Sequence, residues 1–175
     1  LRKNKKTVGV IAVDPTSPIT GGSILGDRIR MRNHSMDDGV FIRSMATGGS
    51  LCGLSKTALD AAIVLDALGK DIIFIETAGV GQSETAVKDI VHTVVVVITP
   101  GLGDDIQMMK AGIMEIADIF VVNKADLKNA EETAKSIEDM ISLLPQKRKR
   151  PGVILTVASE GKGIERLLEE IEKHK

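Results

Sequence analysis

Residues 119–126 read Ile-Phe-Val-Val-Asn-Lys-Ala-Asp. Four consecutive apolar residues, valine-rich at the end, predict a short strand buried on both faces, and Asn123 opens the polar turn that ends it. The same grammar recurs along the chain. Apolar, β-branched runs predict strands at 8–13, 40–45, 71–77, 93–98, 119–123 and 153–157. Between them, apolar residues at helical spacing predict helices at 55–68, near 104–117, at 131–144 and at 163–173, the first of them stopping at Gly69. Strands apolar on both sides and separated by helices define the class as α/β, with a doubly wound, mainly parallel sheet and helices on both faces.

Composition narrows the function classes. The 175 residues carry 23 basic and 24 acidic side chains, so the basic excess of a nucleic-acid binder is absent. Aromatic residues make up 2%, three Phe with no Trp or Tyr, which nearly excludes a platform for base stacking. A single cysteine, Cys52, excludes a disulfide scaffold within the chain and fits a reducing compartment. No apolar run approaches the roughly 20 residues of a membrane span. The opening Leu-Arg-Lys-Asn-Lys-Lys is no signal peptide, and the missing initiator Met points to a piece of something longer.

In open parallel sheets ligands bind at the carboxyl ends of the strands, so the residues just after each strand carry the chemistry. Asn123-Lys124-Ala125-Asp126 matches N-K-x-D. Asp126 can accept two hydrogen bonds, from the N1–H and 2-amino group of guanine, where adenine offers no such pair. The Lys124 stem can lie along the base plane, and Asn123 can tie neighbouring loops together. The alternative is an Asx-type turn that starts a helix.

Glu76-Thr77-Ala78-Gly79 ends the strand at 71–77. Glu76 can orient the hydration shell of Mg²⁺. Gly79 can offer its N–H to a γ-phosphate, which makes 78–84 a candidate switch. The alternative is a glycine-rich turn capped by Ser83. Asp14, before Pro15, could take a second place around the metal or polarise a water, or simply sit in a proline turn. In the last loop, 156–158 with Gly161 and Gly163 can present backbone N–H groups to guanine O6.

A phosphate-cradling G-x-x-x-x-G-K-[ST] is absent. The stretch GGSLCGLSKT (48–57) comes near it, but two residues separate Gly53 from Lys56. The run KRKR at 147–150 reads as a solvated loop, and the three histidines show no metal-ligand spacing.

AVDPTSPITGGSILGDRIRM (12–31), FIRSMATGGSLCGLS (41–55), ETAGVGQSE (76–84) and VVNKAD (121–126) occur in one order and at close spacing. Together they resemble the methylmalonyl-CoA mutase-associated GTPases, the MeaB/ArgK group of the SIMIBI class of P-loop proteins, over about residues 6–173. The resemblance implies a GTP-hydrolysing chaperone of an adenosylcobalamin-dependent acyl-CoA mutase that gates cofactor loading, working in the cytoplasm, or in the mitochondrial matrix of a eukaryote. It implies GTP/GDP and Mg²⁺ as cofactors, and neither nucleic acid nor membrane as partner. By the same resemblance Asp14, Asp27 and Glu76 fall on acidic metal and switch positions, and Gly79 on the γ-phosphate-sensing glycine. Gln82 falls in the second switch, Asn123, Lys124 and Asp126 on the guanine-reading motif, and Ala158 on its supporting loop.

It further implies that 1–175 is part of one GTPase domain with no second domain. The first strand, the P-loop and its helix are expected before Leu1, with 1–6 the end of that helix. The extension that builds a homodimer is expected beyond Lys175. A nucleotide-dependent ATPase or kinase component of lysine/arginine/ornithine transport, or a metallocentre-assembly GTPase, is the alternative function.

Overall fold

The structure, a computed structural model, describes residues 1–14, 31–34, 36–46, 56–77, 87–101, 112–144 and 150–174. Contacts divide the chain into two compact units, Leu1–Ala86 and Val87–Lys175.

The first unit holds β1 (Val8–Asp14), β2 (Val40–Ala46), β3 (Ile72–Thr77) and helix α1 (Lys56–Ala67). All pairings are parallel, in the order β2-β1-β3. The central strand is the most apolar, and Ile11, Ala12 and Val13 are buried. Gly9 explains how α1 reaches it: a Cβ there would lie 2.8 Å from the Leu65 side chain, so the missing methyl is what lets Leu65 close on the strand. Gly69, at φ 73, closes α1 where the sequence predicted.

The amino edge of this sheet is held by two carboxylates. Asp37 accepts from Arg2 Nε at 2.9 Å and Nη2 at 2.8 Å, and from the Gly39 N–H at 2.9 Å. Asp71 accepts from the Thr7 N–H at 2.7 Å and the Thr7 hydroxyl at 2.8 Å. The Arg2 guanidinium, then the Gly39 amide, hold Asp37 at about 2 instead of 3.8. The Thr7 amide and hydroxyl do the same for Asp71. Residues 1–6 are a single 3-10 turn, Arg2–Asn4, which ends at Lys5 with φ 58.

A carboxylate whose pKa is depressed on folding stabilises the fold above its unfolded pKa and loses that contribution as pH falls toward the folded value. The melting temperature should therefore fall as pH drops from about 4 toward 2. In the Asp37→Asn/Asp71→Asn double variant it should start lower at pH 6 and fall less steeply. An acid profile parallel to that of the unsubstituted protein would show that these two groups do not sense the change.

The second unit holds β4 (Val95–Ile98), β5 (Ile119–Asn123) and β6 (Gly152–Thr156), parallel in the order β4-β5-β6, with helices α2 (Ala130–Ser142) and α3 (Ile164–His174). The alternation of β5 assigns one helix to each face. Phe120 and Val122 pack with Ala130, Ala134, Ile137 and Ile141 of α2. Ile119 and Val121 pack with Ile154 and, from α3, Leu167 and Ile171. Phe120 and Ile137 are completely buried, each contributing on the order of 2–3 kcal/mol of apolar burial. The sheet is thus parallel with helices on both faces, as the sequence predicted.

Two strand boundaries shift for polar reasons. The fourth strand, expected from 93, begins at Val95 because the Val94 N–H is given to Asp118 Oδ2 at 2.8 Å. The sixth, expected to reach 157, ends at Thr156 because Val157 turns to bridge Lys162 instead. Of the helix expected near 104–117, Met114–Ile116 is a short turn and 102–111 lie outside the described residues. The KRKR run at 147–150 lies outside them as well, Arg150 excepted.

Candidate functional site

Each unit presents those of its predicted residues that are described at the carboxyl end of its own sheet. In the first, Asp14 is the last residue of β1. Glu76, half-buried, lies opposite Ala12 on the neighbouring β3. The two acidic positions are thus two register steps apart on adjacent parallel strands. Asp27, Gly79 and Gln82 lie outside the described residues. Among the described residues no group of three His, Cys, Asp or Glu could hold a metal ion. One or two carboxylates beside phosphate and water oxygens is nevertheless the donor set that Mg²⁺ takes, and an acidic residue stands at or next to the end of each of these two strands.

In the second unit the N-K-A-D turn follows β5 directly. Asn123, half-buried at the strand's end, uses one side-chain oxygen twice. Its Oδ1 accepts from the Thr156 hydroxyl at 3.1 Å and from the Ala158 N–H at 3.1 Å. Thr156 is 2% exposed, so this bond satisfies a polar group with no access to water. The turn is fastened a second time where the Ala125 N–H donates to the Thr156 carbonyl at 2.9 Å. Asn123 therefore joins the loop after β5 to the loop after β6, as its sequence context predicted. Ala158, assigned by the sequence to the base-supporting loop, gives its own N–H to Asn123.

Between these fastenings the backbone turns sharply. Lys124 has φ 57, the left-handed region that a residue with a Cβ rarely adopts. Such strain persists where the surroundings fix it, and it concentrates at ligand sites. The Leu127 N–H returns to the Lys124 carbonyl at 3.0 Å and completes the turn. Lys124 and Asp126 are both exposed at the sheet edge.

The loop opposite, Ala158–Glu160 followed by Gly161, closes on itself through the Val157–Lys162 bridge. Lys162 pairs with Glu160 at 2.6 Å. Glu160, and more weakly Asp126, raise the pKa of the Lys162 ammonium. The sequence reading missed Lys162, and it placed Thr156 in the last loop for its backbone without seeing the bond its hydroxyl makes. A hydroxyl residue at the end of β6 facing an amide residue at the end of β5 was the available signal for Thr156.

A parallel α/β sheet with an N-K-x-D turn at its carboxyl edge, braced by the loop of the next strand, has the architecture of the P-loop GTPases. The family model described as Methylmalonyl Co-A mutase-associated GTPase MeaB matches residues 1–175, and the chain belongs to that family. A Pyrococcus horikoshii protein named as a GTPase, PH0274, is 56% identical over 178 residues, covering 99% of this chain and 56% of that protein. GTPase ArgK of Escherichia coli is 41% identical over 165 residues, covering 91% and 50%. The chain thus spans about half the length of the relatives it matches. Among solved structures, HypB from Helicobacter pylori in complex with nickel aligns with a TM-score of 0.64 at 23% identity, over 98% of this chain and 78% of that one. At that identity the likeness is one of fold.

Proposed function

We propose that residues 1–175 are part of the GTPase domain of a chaperone for an adenosylcobalamin-dependent acyl-CoA mutase, which hydrolyses GTP and gates loading of the mutase cofactor. The observation that carries the nucleotide half is the braced N-K-A-D turn: Asn123 fixes two loops with one oxygen and Asp126 stands exposed beside them. The mutase half is supported by the description of the family.

In this reading Asp126 accepts from the guanine N1–H and 2-amino group, Lys124 lays its stem along the base, and the Ala158 loop supports the base edge. Asp14, Asp27 and Glu76 hold Mg²⁺ through oxygen and water contacts. Gly79 and Gln82 belong to a switch that senses the γ-phosphate. Bound Mg²⁺ would neutralise charge developing on the phosphates. The chain's own part is positioning and electrostatics: the strand ends fix the acidic groups and the strained turn fixes the base. The full-length protein would act as a homodimer in the cytoplasm, with the mutase as its partner.

The test measures GTP hydrolysis by the full-length protein with Mg²⁺, alone and with an adenosylcobalamin-dependent acyl-CoA mutase. Hydrolysis that rises on adding the mutase is the expected result. ATP bound more tightly than GTP would favour the transport-component reading, and GTP hydrolysis indifferent to every such mutase would remove the chaperone role.

A further inference from the structure

One row of the first unit's sheet changes character on the face opposite α1. Leu65 closes on Gly9, which marks the face that α1 covers, and residues an odd number of positions from Gly9 point to the other side. There the ladder aligns Ile42, Val10 and Phe74 in one row, all apolar. The next row toward the carboxyl ends aligns Ser44, Ala12 and Glu76. It carries a hydroxyl on β2 and a carboxylate on β3, with a single methyl group between them.

This row is shut off from solvent. Ser44 Oγ and Glu76 Oε2 are both buried, and Ala12 is completely so. Among the described residues the Ser44 hydroxyl has no hydrogen-bond partner. A hydroxyl in such a place costs stability unless something bonds to it, and a buried orphan is one sign of a group that acts in another state of its site. Two strand spacings, about 9–10 Å, separate the backbones of Ser44 and Glu76. A serine and a glutamate leaning toward each other over an alanine can span that gap, whereas a larger residue at 12 would stand in the way.

We infer that Ser44 is a positioning residue for Glu76: its hydroxyl donates to the Glu76 carboxylate when that carboxylate turns toward the metal's water shell. This rests on the proposal that Glu76 orients the hydration shell of Mg²⁺. The hydrogen bond fixes one carboxylate oxygen and leaves the other to the metal's waters, the part that groups behind a ligand play at metal sites.

The test compares the GDP affinity of the full-length protein in Mg²⁺ and in EDTA, read with a fluorescent GDP analogue. Ser44→Ala should reduce the gain in affinity that Mg²⁺ brings by about tenfold and leave affinity in EDTA unchanged. Ser44→Thr, which keeps the hydroxyl, should retain the gain. Glu76→Gln should reduce it at least as far, and the Ser44→Ala/Glu76→Gln double variant no further, because the serine acts through the glutamate. Ser44→Ala should not lower the melting temperature of the protein without nucleotide and metal, since the hydroxyl it removes holds nothing among the described residues. A lowered melting temperature with equal losses in Mg²⁺ and EDTA would make Ser44 structural and overturn the inference. Full additivity in the double variant would overturn it too. A loss in Glu76→Gln beside an unchanged Ser44→Ala removes the serine's role alone, whereas a magnesium gain left intact by Glu76→Gln removes the metal role of Glu76 and the serine's with it.

Discussion

Asp126→Asn in the full-length protein should lower GDP affinity by about a hundredfold and raise affinity for XDP. In the proposed reading the carboxylate accepts two hydrogen bonds from guanine, and charge-assisted bonds of this kind are worth about 1.5–3 kcal/mol each, which is tenfold or more in affinity. Asparagine keeps one acceptor and turns the other position into a donor. That donor repels the guanine 2-amino group and suits the carbonyl that xanthine carries in its place. Titration with fluorescent GDP and XDP analogues measures both arms. Asp126 is exposed and its turn is fastened by Asn123 and Ala125, so the substitution should leave the melting temperature of the protein without ligand unchanged. Equal loss for both nucleotides would show that Asp126 does not read the base.

Gly163→Ala should cost roughly 3 kcal/mol of stability and weaken guanine-nucleotide binding with it. Gly163 stands at φ 77, and a Cβ built there falls on the carbonyl oxygen of Leu155, in β6 itself. That oxygen belongs to the backbone and is not the far end of a flexible side chain, so backbone must shift. The shift would enter the Val157–Lys162 bridge and reach Asn123 through Thr156 and Ala158. Gly161→Ala is the control. Gly161 has φ 72 but no atom within 4 Å of its would-be Cβ, so only the left-handed backbone is penalised, at about 1–2 kcal/mol. Denaturant unfolding of the two variants separates clash from strain. Equal losses would mean that the Leu155 carbonyl plays no part.

The parts legible in the sequence are those whose physics is local. The apolar run at 119–123 gave a strand with those bounds, and the helix ending at Gly69 ended there, because burial pattern and backbone freedom are written residue by residue. Asn123 could be read as a tie between loops because its strand and the next carry their turns at the same edge.

What escaped was polar and distant in sequence. Arg2 finds Asp37 across 35 residues and Thr7 finds Asp71 across 64. His174 reaches Thr93 across 81. No periodicity marks such pairs. They follow from parallel strands that bring their starts to one edge, where unpaired ladder amides and loop carboxylates meet. The early start expected for β4 failed for this reason: the Val94 N–H is taken by the Asp118 carboxylate.

If the Lys124 stem lies along the base as proposed, the left-handed turn there sets durability against base contact at a single position. Any residue with a Cβ holds that backbone at a cost, whereas glycine holds it freely. Glycine, however, has no stem to lie along a base. Selection for heat tolerance alone would drift toward glycine at 124, while a lineage that depends on the proposed base contact would retain the strained lysine.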